Sequence, residues 1–532
     1  MIYQIYPRSF LDSNGDGVGD LPGITARLDY VAALGVDAIW ISPFFTSPMA
    51  DFGYDIADYR DVDPLFGTLA DFDALLARAH ALGLKVMIDQ VLSHTSEAHA
   101  WFGESRQSRD NPKADWYVWA DAKPDGSPPN NWLSLFGGVA WRWEPRRGQY
   151  FLHNFLESQP DLNFHHPDVQ DAQLDNVRFW LQRGVDGVRL DAINFCFHDA
   201  SLRDNPPKPP ELRTGRGFSP DNPYAFQYHW YNNTQPEMLG YLERLRAMTD
   251  AHGDVGMLGE ISSEDSLATM AQYVTPRRLH MGYSFELLTD ECSAAYIRGT
   301  VETLEAQLRD GWPCWAISNH DVRRAVTRWG GDAPADALAR QLVALVCSLR
   351  GSVCLYQGEE LGLPESTVPF EALRDPYGIA FWPNFKGRDG CRTPMPWTPD
   401  TAPGANAGFS AAPDTWLPVD PAHAARSVAT QEADAGSVLH AARAFLRWRK
   451  ARPALVRGAI AFVDAPEPVL AFVRTCEGER LLMAFNLSAA PVQWPLPTDT
   501  PWRAVDVPGI AGAVVDAGML ALPAHGVACL AA

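Results

Sequence analysis

Several things are scarce in this chain. Of its 532 residues only 8 are cysteine, at positions 196, 292, 314, 347, 354, 391, 476 and 529, and none forms a C-x-x-C pair. That scatter excludes a disulfide framework. Cysteines in apolar runs, such as Cys347 and Cys354, read as free buried thiols in a reducing compartment. No apolar stretch reaches the length of a membrane span, about 18 residues. The start, Met1-Ile-Tyr-Gln-Ile-Tyr-Pro-Arg8, has no basic stretch followed by an apolar one, so it does not read as a signal peptide. The expected location is cytoplasmic. Positive charge is short as well: Lys plus Arg is 44 against 65 Asp plus Glu, a formal net charge of −21. This disfavours nucleic acid, acidic membrane and polyanions as partners. No H-x-H or H-E-x-x-H occurs, so a metal-dependent barrel hydrolase lacks its histidine ligands.

What is present is ordinary globular composition, 46% apolar and 20% charged, with a rich supply of rings: 18 Trp, 16 Tyr and 25 Phe. Rings serve cores first, and flat sugar faces second. Length alone predicts about three domains, and a chain this long buries a large core without metals or disulfides.

Eight short β-rich runs recur: Ile2–Pro7, Val36–Pro43, Lys85–His94, Val185–Asp191, Val255–Ile261, Met281–Leu287, Cys314–Asp321 and Ser352–Gly358. Helical patterns fall between them, as in Leu21–Leu34, Leu69–Leu82, Val169–Gln182 and Leu338–Leu349, several ending at glycine. Eight strand-then-helix units predict an α/β fold, a closed (β/α)8 TIM barrel. Two stretches break the alternation. Residues 95–166, rich in Trp, Gly, Pro and Asn, read as a small domain inserted after strand three. Residues 203–236, after strand four, read as a long functional loop whose rings, Tyr224 to Tyr231, either form a lid or simply pack. After the helix Val438–Lys450 the texture turns to short β runs and Pro/Gly turns, an antiparallel β-sandwich. The predicted domains are 1–94 with 167–452 for the barrel, 95–166 for the insertion and 453–532 for the C-terminal domain.

In such a barrel, chemistry sits at the C-terminal strand ends. Those ends carry Asp89 to His94, Arg189 and Asp191, Glu260, Asn319-His320-Asp321, and Glu359-Glu360. Charge at the end of an apolar strand is costly unless paired. A carboxylate cluster with an arginine beside it is what glycoside hydrolysis needs, one carboxylate ionised and another protonated. Arg189 shares a strand face with Asp191 and is expected to hold it ionised, while neighbouring charge raises the pKa of Glu260. Adjacent Glu359 and Glu360 on a strand would point oppositely, a structural pair. His165-His166 reads as a helix start, and His94 with His99 lacks zinc spacing.

The segments Gly187-Val-Arg-Leu-Asp191, Gly259-Glu260, Asn319-His-Asp321 and Asp89-Gln-Val-Leu-Ser-His94 resemble the four signature regions of glycoside hydrolase family 13, the α-amylase family. Gln4-Ile-Tyr-Pro-Arg-Ser-Phe10, Gly53-Tyr-Asp-Ile-Ala-Asp-Tyr59, Gln357-Gly-Glu-Glu360 and Arg392-Thr-Pro-Met-Pro-Trp397 narrow the resemblance to its α-glucosidase and oligo-1,6-glucosidase branch. The resemblance implies a retaining, exo-acting α-glucosidase with Asp191 as nucleophile, Glu260 as acid and base, and Asp321 on the 2- and 3-hydroxyls. Asp51, Tyr54, His94, Arg189, His320 and Arg392 would hold the non-reducing glucose. The two reacting carboxyls should lie roughly 5–5.5 Å apart. Ala192, after the nucleophile, goes in this branch with α-1,4 preference, where Val goes with α-1,6. Ser93 departs from the usual Asn and should weaken one polar contact. Relatives also carry a short Trp-rich lead-in before the first strand, so a start at that strand reads as trimmed or misannotated.

Asp12, Asn14 and Asp16 put oxygens at alternate positions before Gly17, as in half an EF-hand, but Gly23 stands where the closing Glu belongs. With Asp20 and the Val18 carbonyl added, the loop still fits a structural Ca2+, as the resemblance also implies. No organic cofactor is expected. The expected partners are small α-glucosides, with alcohols or sugars as glucosyl acceptors. Alternatives on the same scaffold are sucrose isomerase, trehalose synthase and trehalose-6-phosphate hydrolase. A non-catalytic relative, like a transporter heavy-chain ectodomain, would need a lost triad and a membrane anchor.

Overall fold

A computed structural model describes residues 1–213, 221–331, 335–498, 500–510 and 512–532. All eight predicted runs become parallel strands of one closed barrel, each pairing with its sequence neighbours, and the eighth with the first. They are β1 (Ile2–Ile5), β2 (Ala38–Ile41), β3 (Lys85–Val91), β4 (Gly187–Asp191), β5 (Gly256–Ile261), β6 (Met281–Ser284), β7 (Trp312–Trp315) and β8 (Ser352–Tyr356). β1, β2 and β4 are buried throughout and the other five beyond their first residue, which is why they read as apolar runs. The helices predicted between them form at Leu21–Leu34, Leu69–Ala81, Pro167–Gln182 and Asp336–Ser348. Asp20 and Thr68 cap the first two through side-chain oxygens, and Gly35 stops the first in the left-handed region at φ 91°.

Three sequence expectations need correction. The seventh strand stops at Trp315, so Asn319 to Asp321 reach the barrel mouth on buried, irregular backbone. Glu359 and Glu360 lie on a one-turn helix, not on a strand, because Gly358 at φ 90° ends β8. The structural role survives: Glu360 Oε1 accepts the hydroxyls of Tyr3 and Tyr30, each at 2.7 Å, stitching β1 and the first helix to the end of β8. The C-terminal region holds eight strands where the sequence showed five. Three, Val514–Asp516, Met519–Leu522 and Val527–Ala531, are short and separated by tight turns. They complete a five-stranded and a three-stranded antiparallel sheet around a shared apolar cluster that includes Leu482, Trp494 and Leu520.

Within residues 95–166 lies a small antiparallel sheet of Trp119–Ala120, Gln149–Leu152 and Trp141–Glu144. Its return to the barrel is anchored by Asp161, whose backbone bridges His94 and whose carboxylate accepts the backbone N–H and side-chain amide of Asn154. Part of the long loop after β4, residues 214–220, lies outside the described residues.

Burial pushes the Asp161 carboxyl up to about 8, against the pull of the Asn154 hydrogen bonds. An unfolded Asp titrates near ~3.9, so the folded state binds the extra proton between the two values and this group's stabilisation is lost as pH rises toward 8. Thermal melts from pH 5 to pH 8 are expected to fall for the parent and to flatten in Asp161→Asn; parallel curves would remove Asp161 as a cause.

Candidate active site

β3, β4 and β5 bring three carboxylates to one guanidinium. Arg189 Nη1 donates to Asp89 Oδ1 at 2.8 Å and to Asp191 Oδ1 at 2.6 Å, while Nη2 lies 2.6 Å from Glu260 Oε1. Arg189 is fully buried, with its guanidinium 4.8 Å from the Trp40 ring. Tyr283 of β6 accepts from Arg189 Nη2 at 2.9 Å and donates to Glu260 Oε1 at 2.7 Å. Trp40 Nε1 and the Tyr54 hydroxyl donate to Asp89 Oδ2, each at 3.1 Å.

One positive charge cannot neutralise three buried negative ones. Burial raises Asp89 to about 6 and Asp191 well above the usual carboxylate range, both against the pull of Arg189. The expectation that Arg189 simply holds Asp191 ionised is therefore corrected: the guanidinium is divided, and the coupled cluster keeps a proton that a lone Arg–Asp pair would release.

Directly after Asp191 the backbone turns at Ala192, a non-glycine residue at φ 38°, ψ 46°. That conformation costs of order 1–3 kcal/mol. It aims the Ala192 N–H at Glu260 Oε2, 3.0 Å away, so the turn ties the two carboxylate-bearing strand ends together.

A second cationic cluster faces the first. Arg392 Nη2 donates to Asp321 Oδ1 at 2.9 Å, and Arg388 Nη1 does so at 3.3 Å. Burial opposes charge on Asp321, but the guanidiniums of Arg388 and Arg392 outweigh it and hold the carboxyl below its ordinary range. Asp321 is thus firmly anionic where the Arg189 cluster is not. Arg388 also bonds Asp51 Oδ1 at 2.8 Å and Asp375 Oδ1 at 2.9 Å. Burial lowers His320 to about 3 and His94 to about 4, so both rings are neutral. Gln4 Nε2 donates to His320 Nδ1 at 2.7 Å, which leaves the ring proton on Nε2, 2.5 Å from the Tyr54 hydroxyl. The Ser93 hydroxyl, where the resemblance led us to expect Asn, bonds His94 Nδ1 at 3.0 Å.

These groups open on one pocket of about 810 Å³, counting its mouth. Of the nine catalytic and sugar-binding residues read from the sequence, Asp51, Tyr54, His94, Asp191, Glu260 and Asp321 line it, while Arg189, His320 and Arg392 stand behind them, bonded to those that do. Apolar side chains make up much of the remaining lining: Leu135, Phe136 and Phe155 from the insertion, with Phe195, Phe285, Val322 and Tyr377. None of the rings from Tyr224 to Tyr231 lines the pocket. Tyr224 packs on His229 at 3.5 Å, and Tyr228 stacks on Trp230 at 4.6 Å. Sequence reasoning missed Arg388 and Asp375 as site residues because they lie on the long segment after β8, beyond any strand end. It missed Tyr283 because a tyrosine inside a strand looks like core.

The Asp12–Asp20 loop does not line the pocket. Asp12 accepts the N–H groups of Asn14, Gly15 and Gly17; Asn14 accepts from Asp16, and Asp16 from Val18. Asp20 caps the first helix through Gly23 and accepts from Ser13. Among the described residues no three His, Cys, Asp or Glu side chains converge as a metal cluster, so a cation here would also need the Asn14 and Val18 oxygens. The donors are all oxygen and three are formally anionic, which suits a hard divalent ion. No helix among the described residues is long and apolar enough to cross a membrane.

A (β/α)8 barrel whose mouth gathers carboxylates from successive strands around buried arginines is the architecture of an acid–base glycosidase. The chain belongs to the α-amylase family: residues 4–458 match the alpha amylase catalytic domain and residues 460–528 the maltogenic amylase C-terminal domain. It is 56% identical over 492 residues to a probable alpha-glucosidase of Rhizobium meliloti (strain 1021), covering 92% of this chain and 88% of that one. It is 35% identical to an oligo-1,6-glucosidase of Heyndrickxia coagulans, covering 94% of each. The crystal structure of an alpha-glucosyl transfer enzyme, XgtA, superposes with a TM-score of 0.98 at 68% identity, covering 100% of this chain and 98% of that one.

Arg388 joins three carboxylates, so its removal should be felt at the pocket. Arg388→Ala is expected to lower kcat/KM for p-nitrophenyl α-glucoside about 100-fold, since unpairing buried charges costs about 3 kcal/mol or more. A change under threefold in steady-state kinetics would show that Arg392 alone suffices.

Proposed function

We propose that this protein is a retaining, exo-acting α-glucosidase. It removes the terminal non-reducing glucose of short α-glucosides, α-1,4-linked maltose foremost, and gives that glucose to water or to an alcohol or sugar acceptor. The observation that carries the reading is the single guanidinium of Arg189 bonded to both Asp191 and Glu260. Neighbouring nitrogens of one guanidinium suit the close carboxyl pair of a retaining site, roughly 5–5.5 Å, better than the wider inverting pair.

Chemistry follows from the uneven charge. In the first step an Asp191 oxygen bonds the anomeric carbon as the glycosidic C–O bond breaks, and Glu260 gives its proton to the departing oxygen. In the second step Glu260, now a carboxylate, takes a proton from water or an acceptor hydroxyl, whose oxygen attacks the anomeric carbon and releases Asp191. Asp321, held ionised by Arg388 and Arg392, receives the 2- and 3-hydroxyls and faces the positive charge of the transition state. Asp51, Tyr54 and His94 hold the rest of the glucose, and Arg189, His320 and Arg392 fix the lining residues from behind. The apolar wall of Leu135, Phe136 and Phe155 suits an aglycone that excludes water, so acceptors compete for the glucosyl-enzyme. Similarity to an alpha-glucosyl transfer enzyme, at 68% identity, supports transfer. Eight cysteines without disulfides support a cytoplasmic location.

Incubating the protein in parallel with maltose, isomaltose, sucrose and trehalose tests the reading. Maltose should be turned over fastest, and the glucose first released from p-nitrophenyl α-glucoside, whose leaving group carries no sugar, should be the α-anomer by proton NMR. β-Glucose first would contradict retention, and isomerised disaccharide as the main product would move the protein to a sibling chemistry.

The Asp12–Asp20 loop we assign to a structural Ca2+, held by Asp12, Asn14, Asp16, the Val18 carbonyl and Asp20. Chelation should lower the melting temperature by about 5 °C, with Ca2+ restoring it. A melting temperature indifferent to chelator and Ca2+ would remove the ion.

A further inference from the structure

One fully buried side chain, outside every role assigned above, joins the segment after β4 to two loops that line the pocket. Asn222 lies in the long segment after β4. Its Nδ2 donates to the Leu135 carbonyl of the insertion at 2.7 Å and to the Tyr377 hydroxyl of the segment after β8 at 2.9 Å. Its Oδ1 accepts the Tyr224 N–H at 3.0 Å and caps the short turn Pro223–Phe226. Both acceptors of the amide belong to residues that line the pocket.

The surroundings leave little slack. Leu135 N–H donates to the Asn154 carbonyl at 2.8 Å, so this wall residue is held on both its backbone groups. Phe136 packs on Tyr377 at 5.3 Å and lies under the Arg388 guanidinium at 4.9 Å. A Cβ on Gly137, at φ 96°, would come within 2.8 Å of the Phe381 ring. Nearby, Asn384 Nδ2 donates to Asp221 Oδ2 at 2.6 Å, a second tie between the same two segments. Swinging the Leu135 wall away from Tyr377 would break at least one of the two Asn222 donations and leave a buried polar group unpaired, which favours the closed mouth.

We propose that Asn222 is the positioning residue that sets the length limit of the pocket, clasping the Leu135 and Tyr377 walls so that a substrate longer than a disaccharide meets a closed rim. This rests on the reading of the pocket as a site for short α-glucosides. Asn222 touches neither substrate nor reacting atoms and acts through Leu135 and Tyr377.

Asn222→Asp tests the clasp cleanly. It keeps the oxygen that caps Tyr224 and nearly the same volume, but has no amide hydrogens. Tyr377→Phe removes one of the two acceptors and leaves the fold of the segment. Parent and both variants are assayed for kcat and KM on maltose, maltotriose and maltotetraose, with melting temperatures alongside. The parent should discriminate strongly against the longer sugars. Asn222→Asp should raise the maltotriose-to-maltose ratio of kcat/KM about tenfold, through KM for the trisaccharide, with Tyr377→Phe moving the same way by less. A ratio within twofold of the parent's in Asn222→Asp, or a uniform loss on all three sugars, overturns the proposal. If Asn222→Asp does not fold, an unchanged ratio in Tyr377→Phe overturns it instead. A parent that takes all three sugars equally refutes the short-substrate reading itself, separately from the clasp.

Discussion

A single buried arginine, bonded to carboxylates from three successive strands, is the constraint around which the barrel mouth is built. Removing a guanidinium from water is tolerable only with several partners. Arg189 has Asp89, Asp191 and Glu260, with the Trp40 ring against it. Those partners in turn can be buried only because Arg189 is there. The mutual dependence fixes which residues must end β3, β4 and β5. The strained turn at Ala192 also has a use here, since it delivers a backbone N–H to Glu260.

The two ends of the site differ electrically because their arginine ratios differ. At the Arg189 end one cation serves three carboxylates, and protons are retained. At the other end Arg388 and Arg392 both reach Asp321, which stays charged. A site that must hold a proton at one point and a fixed negative charge at another point of the same pocket gains both from the same residue types in different proportion. The inserted domain adds Leu135, Phe136 and Phe155 to the lining, while the segment after β8 supplies both the ring of Tyr377 and the guanidinium of Arg388.

Much of this was legible in the sequence. The eight runs are buried on both faces, so they read as apolar stretches, and Asp191 and Glu260 stood out as charge at the end of such stretches. What was not legible depends on contacts across loops. Arg388 and Asn222 sit in irregular segments rich in turn residues, where no period marks an inward side chain. Tyr283 and Trp40 looked like core because their polar atoms are spent on Arg189 and its carboxylates. Val514–Asp516 is too short and too exposed for alternation to show. The charge state of Asp191 could not be judged from its nearest arginine in sequence, since the other claimants on that arginine come from 100 residues upstream and from β5.

The central claim is that Asp191, beside the shared guanidinium, is the group that takes the sugar. Trapping decides it: the protein is mixed with a slow fluorinated α-glucosyl donor, quenched, digested and sequenced by mass spectrometry. The account predicts one hexosyl adduct, on Asp191. An adduct on Glu260, or inverted product with no adduct at all, would contradict it.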